Sequence, residues 1–162
     1  MYIAQLHHPR FGEFRFPSLR TGIMAGSPCP IEIMRAVVDQ LGVRGLTIAY
    51  GLTEASPVIT QTGVRDSLEQ RVSTVGTVIP GVEVRIARPG SLDPVEPGQP
   101  GELLARGHNI MKGYYNKPAE TAQALTPDGW LHTGDLAVET ADGYYKITGR
   151  LKDMIKIGRA HV

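Results

Sequence analysis

Four side chains in this 162-residue sequence have the types and neighbours needed for nucleotide chemistry: Thr53, Glu54, Asp135 and Arg150. A hydroxyl next to a carboxylate, as in Thr53-Glu54, can pair a donor to a phosphoryl oxygen with an anchor for a hard cation. The same pair also suits an ordinary helix start, with Thr53 as N-cap and Glu54 in the first turn. An ionised Asp has only acceptors, so Asp135, in the run Gly129-Trp130-Leu131-His132-Thr133-Gly134-Asp135, can take bonds from two neighbouring hydroxyls such as those of a ribose. It can equally be a turn residue after Gly134. Arg150 presents a planar fork suited to phosphate or ribose oxygens, or it is one charge in the solvated cluster Gly149-Arg150-Leu151-Lys152-Asp153.

The elements that must position these groups are partly legible. Leu46 to Tyr50 is a short apolar run bounded by glycines and reads as a strand. Thr53 and Glu54 would then stand at its carboxyl end, where ligands sit in open α/β sheets. Leu19 to Ala25 reads as a preceding strand. Pro30 to Leu41 reads as the helix between them, because Met34, Val37, Val38 and Leu41 fall at i, i+3, i+4 and i+7. Pro30 suits its first turn and Gly42 its stop. Strand, helix, strand is the unit expected of a nucleotide-binding sheet.

Near Gly76 the character changes. Val82 to Ile86 alternates like a half-exposed strand, and Pro89 to Pro100 is a turn-rich connection. Glu102 to Arg106, Leu136 to Glu139 and Tyr144 to Thr148 read as further strands, with a hairpin turn at Ala141-Asp142-Gly143 and a short helix over Pro118 to Leu125. The expected fold class is α/β: a partial nucleotide-binding α/β subdomain over residues 1–75, then a small, mainly antiparallel β subdomain over 76–149.

Composition sets outer bounds. Net charge is +1, which offers nothing to nucleic acid. No run approaches the roughly 20 apolar residues of a membrane span, and no signal peptide is visible, which reads as cytoplasmic. The 19 glycines and 12 prolines fit many turns and short strands. A single cysteine excludes an internal disulfide, and Cys29 reads as a small buried thiol. His7, His8, His108 and His132 lack zinc-ligand spacing.

Taken together, the clusters resemble one superfamily, the adenylate-forming (AMP-binding) enzymes: acyl-CoA synthetases, luciferases and peptide-synthetase adenylation domains. The resemblance rests on order: Gly26-Ser27-Pro28, Tyr50 to Glu54, Gly101-Glu102-Leu103 with Arg106-Gly107, Thr133-Gly134-Asp135, then Gly149 to Asp153. Thr21 to Pro30 and Asn109 to Asn116 look most like medium-chain fatty acyl-CoA synthetases.

Roles follow from that resemblance. Gly26, Ser27 and Pro28 would lie against adenine, and Tyr50 would pack on its face. Gly51 would line the adenylate and acyl pocket. Thr53 would bind a phosphate oxygen, Glu54 would ligate Mg2+, Asp135 would accept both ribose hydroxyls with Arg150 donating, and Asp153 would be the hinge to a C-terminal domain. Thr53, Glu54, Asp135 and Arg150 are expected to be partly exposed and to face one cleft. The implied activity is a ligase that activates a fatty acid with ATP to acyl-AMP and transfers the acyl group to CoA. Two other readings stand beside it: a stand-alone nucleotide-binding module, or an adenylation domain for a different carboxylate. The family's upstream phosphate loop and its lysine-bearing C-terminal domain are not found, so the chain by itself is expected to be inactive. Residues 150–156 are expected to lead to that missing domain. Residues 157–162 match the translation of a sequencing-adapter read and are expected to be foreign.

Overall fold

The computed structural model describes residues 1–27 and 29–153. After a short helix α1 (Tyr2–Leu6), strand β1 (Thr21–Ala25) leads through helix α2 (Ile31–Leu41) to strand β2 (Gly45–Gly51), which pairs parallel to β1. The expected strand–helix–strand unit is therefore present, with β1 starting at Thr21 rather than Leu19. Helix α2 lays Met34, Val37 and Leu41 against Leu46 and Ile48 of the sheet and Val43 of the connection before β2, all at most 7% exposed. Pro30 is its N-cap, just outside the first turn, and Gly42 closes it in the left-handed conformation.

Two antiparallel strands complete this sheet, β3 (Val58–Gln61) and β4 (Thr77–Val78), giving the order β1-β2-β3-β4. Neither was expected, since Val58 to Gln61 is too short to show a period. Between them lies helix α3 (Leu68–Ser73), also unforeseen. It opens with a capping box in which Ser67 accepts from the Gln70 N–H and Gln70 reaches back to the Ser67 N–H.

The second sheet is an antiparallel meander of β5 (Val82–Ala87), β6 (Gly101–Gly107), β7 (Leu131–Glu139) and β8 (Tyr145–Arg150), with helix α4 (Pro118–Ala124) between β6 and β7. The α/β first half and antiparallel second half are thus both observed. One core spans them: Ala55 and Ile59 from the first half pack with Val82, Ile86, Leu103, Ala105, Leu131 and Ala137 from the second. The start of β8 ties the halves again, because Val75 N–H donates to Tyr145 O (2.8 Å) and Tyr145 N–H donates to Gly76 O (2.9 Å). Among the described residues no helix is long and apolar enough to cross a membrane.

Strand β7 departs from expectation. Leu136 to Glu139 is only its second half, and the Thr133-Gly134-Asp135 run is strand rather than turn. Its pairing with β6 is irregular. Glu102 faces Leu136 and Leu104 faces His132, so Thr133, Gly134 and Asp135 stand opposite Leu103 alone. This is a β-bulge, which bends a strand and re-aims its side chains. Gly134 takes a φ of 71°, a conformation that costs an L side chain and suits glycine.

Candidate active site

Because β1 and β2 are parallel, the segments after them leave from the same edge of the sheet. Gly26 and Ser27 follow β1 and are exposed; Pro28 lies outside the described residues. Tyr50 and Gly51 end β2. Gly51 has no room for a larger residue, since a Cβ there would fall 1.8 Å from the Pro57 carbonyl oxygen. Thr53, Glu54 and Ala55 form a single 3₁₀ turn with Leu52, not Thr53, at its N-cap. The Thr53 side chain is therefore not spent on capping; the residue is exposed and Glu54 half-buried.

Asn109, from the segment after β6, holds the backbone after that turn. Its Nδ2 donates to Ala55 O (2.8 Å) and Val58 O (2.7 Å). In the same segment, Met111 N–H donates to Glu54 O (2.8 Å), and the Tyr114 hydroxyl donates to Glu54 Oε1 (2.7 Å). The hydrogen bond to Glu54 raises the Tyr114 phenol above its ordinary pKa, with smaller contributions from desolvation and the Glu54 charge.

Asp135, on the bulge of β7, is 6% exposed. Its Oδ2 accepts from the Tyr50 hydroxyl (2.8 Å) and its Oδ1 from Arg150 Nε (3.0 Å). Two site residues named by the sequence, Tyr50 of β2 and Arg150 of β8, thus converge on the carboxylate of a third, Asp135 of β7. Burial is the largest cause holding the Tyr50 phenol well above its usual range, and the Asp135 carboxylate adds to it. Tyr50 remains a donor at neutral pH.

The expectation of four partly exposed side chains facing one cleft needs correction. Asp135 is buried, because the bulge turns it in under Tyr50 and Arg150. A cleft of about 530 Å³ is lined by Glu54, Glu102, His132, Thr133, Gly134 and Lys152, among others, and neither Thr53, Asp135 nor Arg150 contributes to its wall. Asp153 is exposed in the 3₁₀ turn after β8, and residues 154–162 lie outside the described residues.

Sequence reading missed two participants. Glu102 is 3% exposed yet reaches Gly134 N–H, Gly90 N–H and His132. His132, of which the sequence said only that it lacks zinc-ligand spacing, lines the cleft. The only hint was Glu102's place inside a motif with no role attached. Cys29 is not activated: its Sγ lies 3.1 Å from Met24 Sδ, and burial pushes the thiol pKa up.

Among the described residues no group of three His, Cys, Asp or Glu could cage a metal. Glu54 still fits Mg2+, which takes one or two carboxylates together with substrate phosphates and water. The Tyr114 hydroxyl occupies Oε1 and leaves Oε2 unengaged by any protein donor among the described residues.

The family model described as "AMP-binding enzyme" matches residues 1–115. The chain belongs to that family. Among curated relatives it is 54% identical, over all 162 residues, to "Putative acyl-CoA synthetase YngI" of Bacillus subtilis (strain 168), of which it covers 30%. It is 38% identical to "Medium-chain acyl-CoA ligase ACSF2, mitochondrial" of Bos taurus, covering 26% of that protein. The chain therefore spans less than a third of the length of these relatives. Among solved structures, the anthranilate CoA ligase AuaEII in complex with anthranoyl-AMP aligns over 97% of this chain and 29% of its own, with a TM-score of 0.83 and 27% identity. The fold of this AMP-binding chain is thus that of the adenylate-forming enzymes.

Proposed function

We propose that the protein carrying this chain is an AMP-forming acid–thiol ligase that activates a fatty acid with ATP and passes the acyl group to CoA. The observation that carries this reading is the convergence of Tyr50 and Arg150 on the buried Asp135 carboxylate. A carboxylate offers about four lone-pair sites, and two of these are taken here, which leaves capacity for the two hydroxyls of a ribose. Arg150 adds a charged donor at the same point.

Gly26 and Ser27, just past β1, and Tyr50, near the end of the parallel strand β2, would take the adenine, and Gly51 would line the adenylate and acyl pocket. Thr53, exposed just past β2, would donate to a phosphate oxygen. Glu54 would hold Mg2+ beside it, with Tyr114 fixing the carboxylate's orientation. When bound, the cation neutralises charge on the triphosphate. The protein groups then act by positioning and charge stabilisation, the effects on which substitution at phosphorus depends. Asp153, exposed after β8, would be the pivot of a following domain.

The names of the acyl-CoA synthetase relatives support a fatty acid, and that of ACSF2 a medium chain. A different carboxylate is a second reading, favoured by the anthranilate CoA ligase at TM-score 0.83. The test is direct. The enzyme, at the length of its curated relatives, is given ATP, Mg2+, CoA and a panel of fatty and aromatic acids, and products are read by mass spectrometry. Medium-chain acyl-CoA with stoichiometric AMP supports the proposal. Turnover of aromatic acids alone selects the second reading, and ADP as the nucleotide product contradicts both.

A further inference from the structure

We propose that Glu102 is a positioning residue for the ribose-binding carboxylate, acting through the bulge that aims Asp135. The proposal rests on the reading of Asp135 as the ribose acceptor.

Glu102 lies on β6, an interior strand of the second sheet, and is 3% exposed. A carboxylate this deep is expensive unless its oxygens are met by donors. They are met, and at a telling place. Oε1 accepts from the Gly134 N–H (3.2 Å), and Oε2 accepts from the Gly90 N–H (3.3 Å) and lies 3.1 Å from His132 Nδ1. Two of these three partners flank Thr133 in the very segment that leaves the β6–β7 register.

The bulge displaces backbone N–H groups from one-to-one pairing, and side chains take them up. Gly134 N–H is held by Glu102, and Asp135 N–H by Thr133 Oγ1 (3.1 Å), which itself donates to Leu103 O (2.7 Å). Glu102 thus clamps the residue immediately before Asp135 while Gly134 sits at a φ of 71°. The next peptide carries the carboxylate that Tyr50 and Arg150 meet. Releasing Gly134 would let the bulge relax and turn Asp135 away from that point. Glu102 touches no substrate in this role; it acts through the backbone of Gly134.

The experiment compares ATP with 2′,3′-dideoxy-ATP in acid-dependent pyrophosphate exchange by the enzyme at the length of its relatives. The readout is the ratio of their kcat/KM values, which isolates recognition of the ribose hydroxyls. Asp135→Ala should erase the preference for ATP. Glu102→Gln matches Glu102 in size but replaces one acceptor oxygen with an NH₂ donor. It should lower the ratio by about tenfold, the worth of one well-aimed hydrogen bond, with the KM for the fatty acid and the circular dichroism unchanged. A role confined to holding the sheet together would lower the melting temperature or kcat and leave the ratio at its wild-type value; that result overturns the proposal. Should Glu102→Gln not fold, Glu102→Asp keeps the charge and withdraws the carboxylate by one carbon. It is expected to lower the same ratio, and a wild-type ratio overturns the proposal there too. If Asp135→Ala itself keeps the ATP preference, the ribose reading fails and takes the Glu102 proposal with it. If Asp135→Ala loses the preference and Glu102→Gln retains it, only the Glu102 proposal falls.

Discussion

The Tyr50 hydroxyl donates to Asp135 Oδ2 across 2.8 Å, joining the carboxyl end of a strand in the first sheet to the bulge of a strand in the second. Removing that hydroxyl leaves a buried carboxylate oxygen without its donor, at a cost of about 1–3 kcal/mol. Tyr50→Phe should therefore lower stability by that order in chemical denaturation. It should also raise the KM for ATP modestly, because Asp135 loses one of the two donors that orient it, although the ring that would pack on adenine is kept. Tyr50→Ala removes the ring as well and should raise the KM for ATP further.

Asn109 is the brace of the Thr53–Glu54 turn. Asn109→Ala would strip the Ala55 and Val58 carbonyls of a shared donor. An unmet buried acceptor costs about 1–3 kcal/mol, so a comparable loss of stability is expected together with a higher KM for ATP. Wild-type values of both would show that the turn holds itself.

Gly51→Ala should be more severe than either. Its Cβ would meet the Pro57 carbonyl at 1.8 Å, and the obstacle is backbone, not the end of a flexible side chain. Loss of soluble, folded protein is expected. Recovery of the variant with a normal melting temperature would contradict the close packing of β2 on that loop.

How much of this was legible in the sequence varies with the physics of each element. Helix α2 showed itself because four apolar residues keep one face and a proline and a glycine bound it. Strand β2 showed itself as an apolar run between glycines. The first half of β7 did not, because Thr133, Gly134 and Asp135 have turn chemistry, and here that chemistry serves a bulge inside a strand. Glu102 was silent for a related reason. A glutamate in a strand reads as solvent-facing, whereas β6 is buried continuously from Gly101 to Ala105 because it is packed on both faces. Tyr50 and Asp135 are 85 positions apart, and no local pattern links them. Only the order of motifs shared with a family suggested that they serve one ligand.

Alkaline pH should destabilise the fold through its tyrosines. Burial, aided by the Glu139 carboxylate, pushes the Tyr145 phenol from 10.0 up to about 12. A pKa raised by folding means that the folded state favours the protonated form. That contribution is complete below pH 10 and is lost as pH rises from 10 to about 12. Tyr50 and Tyr114 shift in the same direction and add to the decline. Melting temperature should fall across this window, and Tyr145→Phe should flatten part of the fall. A flat profile above pH 10 would contradict the shifts.

The most direct test of the adenylate-forming reading is acid-dependent exchange of labelled pyrophosphate into ATP, with wild-type enzyme at the length of its relatives and with Glu54→Gln. The variant keeps the side chain's shape and removes the charge offered to Mg2+. Loss of charge stabilisation at such a site costs on the order of a hundredfold or more in rate. The predicted result is exchange that requires a medium-chain fatty acid in the wild type and collapses in Glu54→Gln with folding intact. Exchange in Glu54→Gln at the wild-type rate would remove Glu54 from the metal site, and wild-type exchange that ignores the acid would contradict adenylation itself.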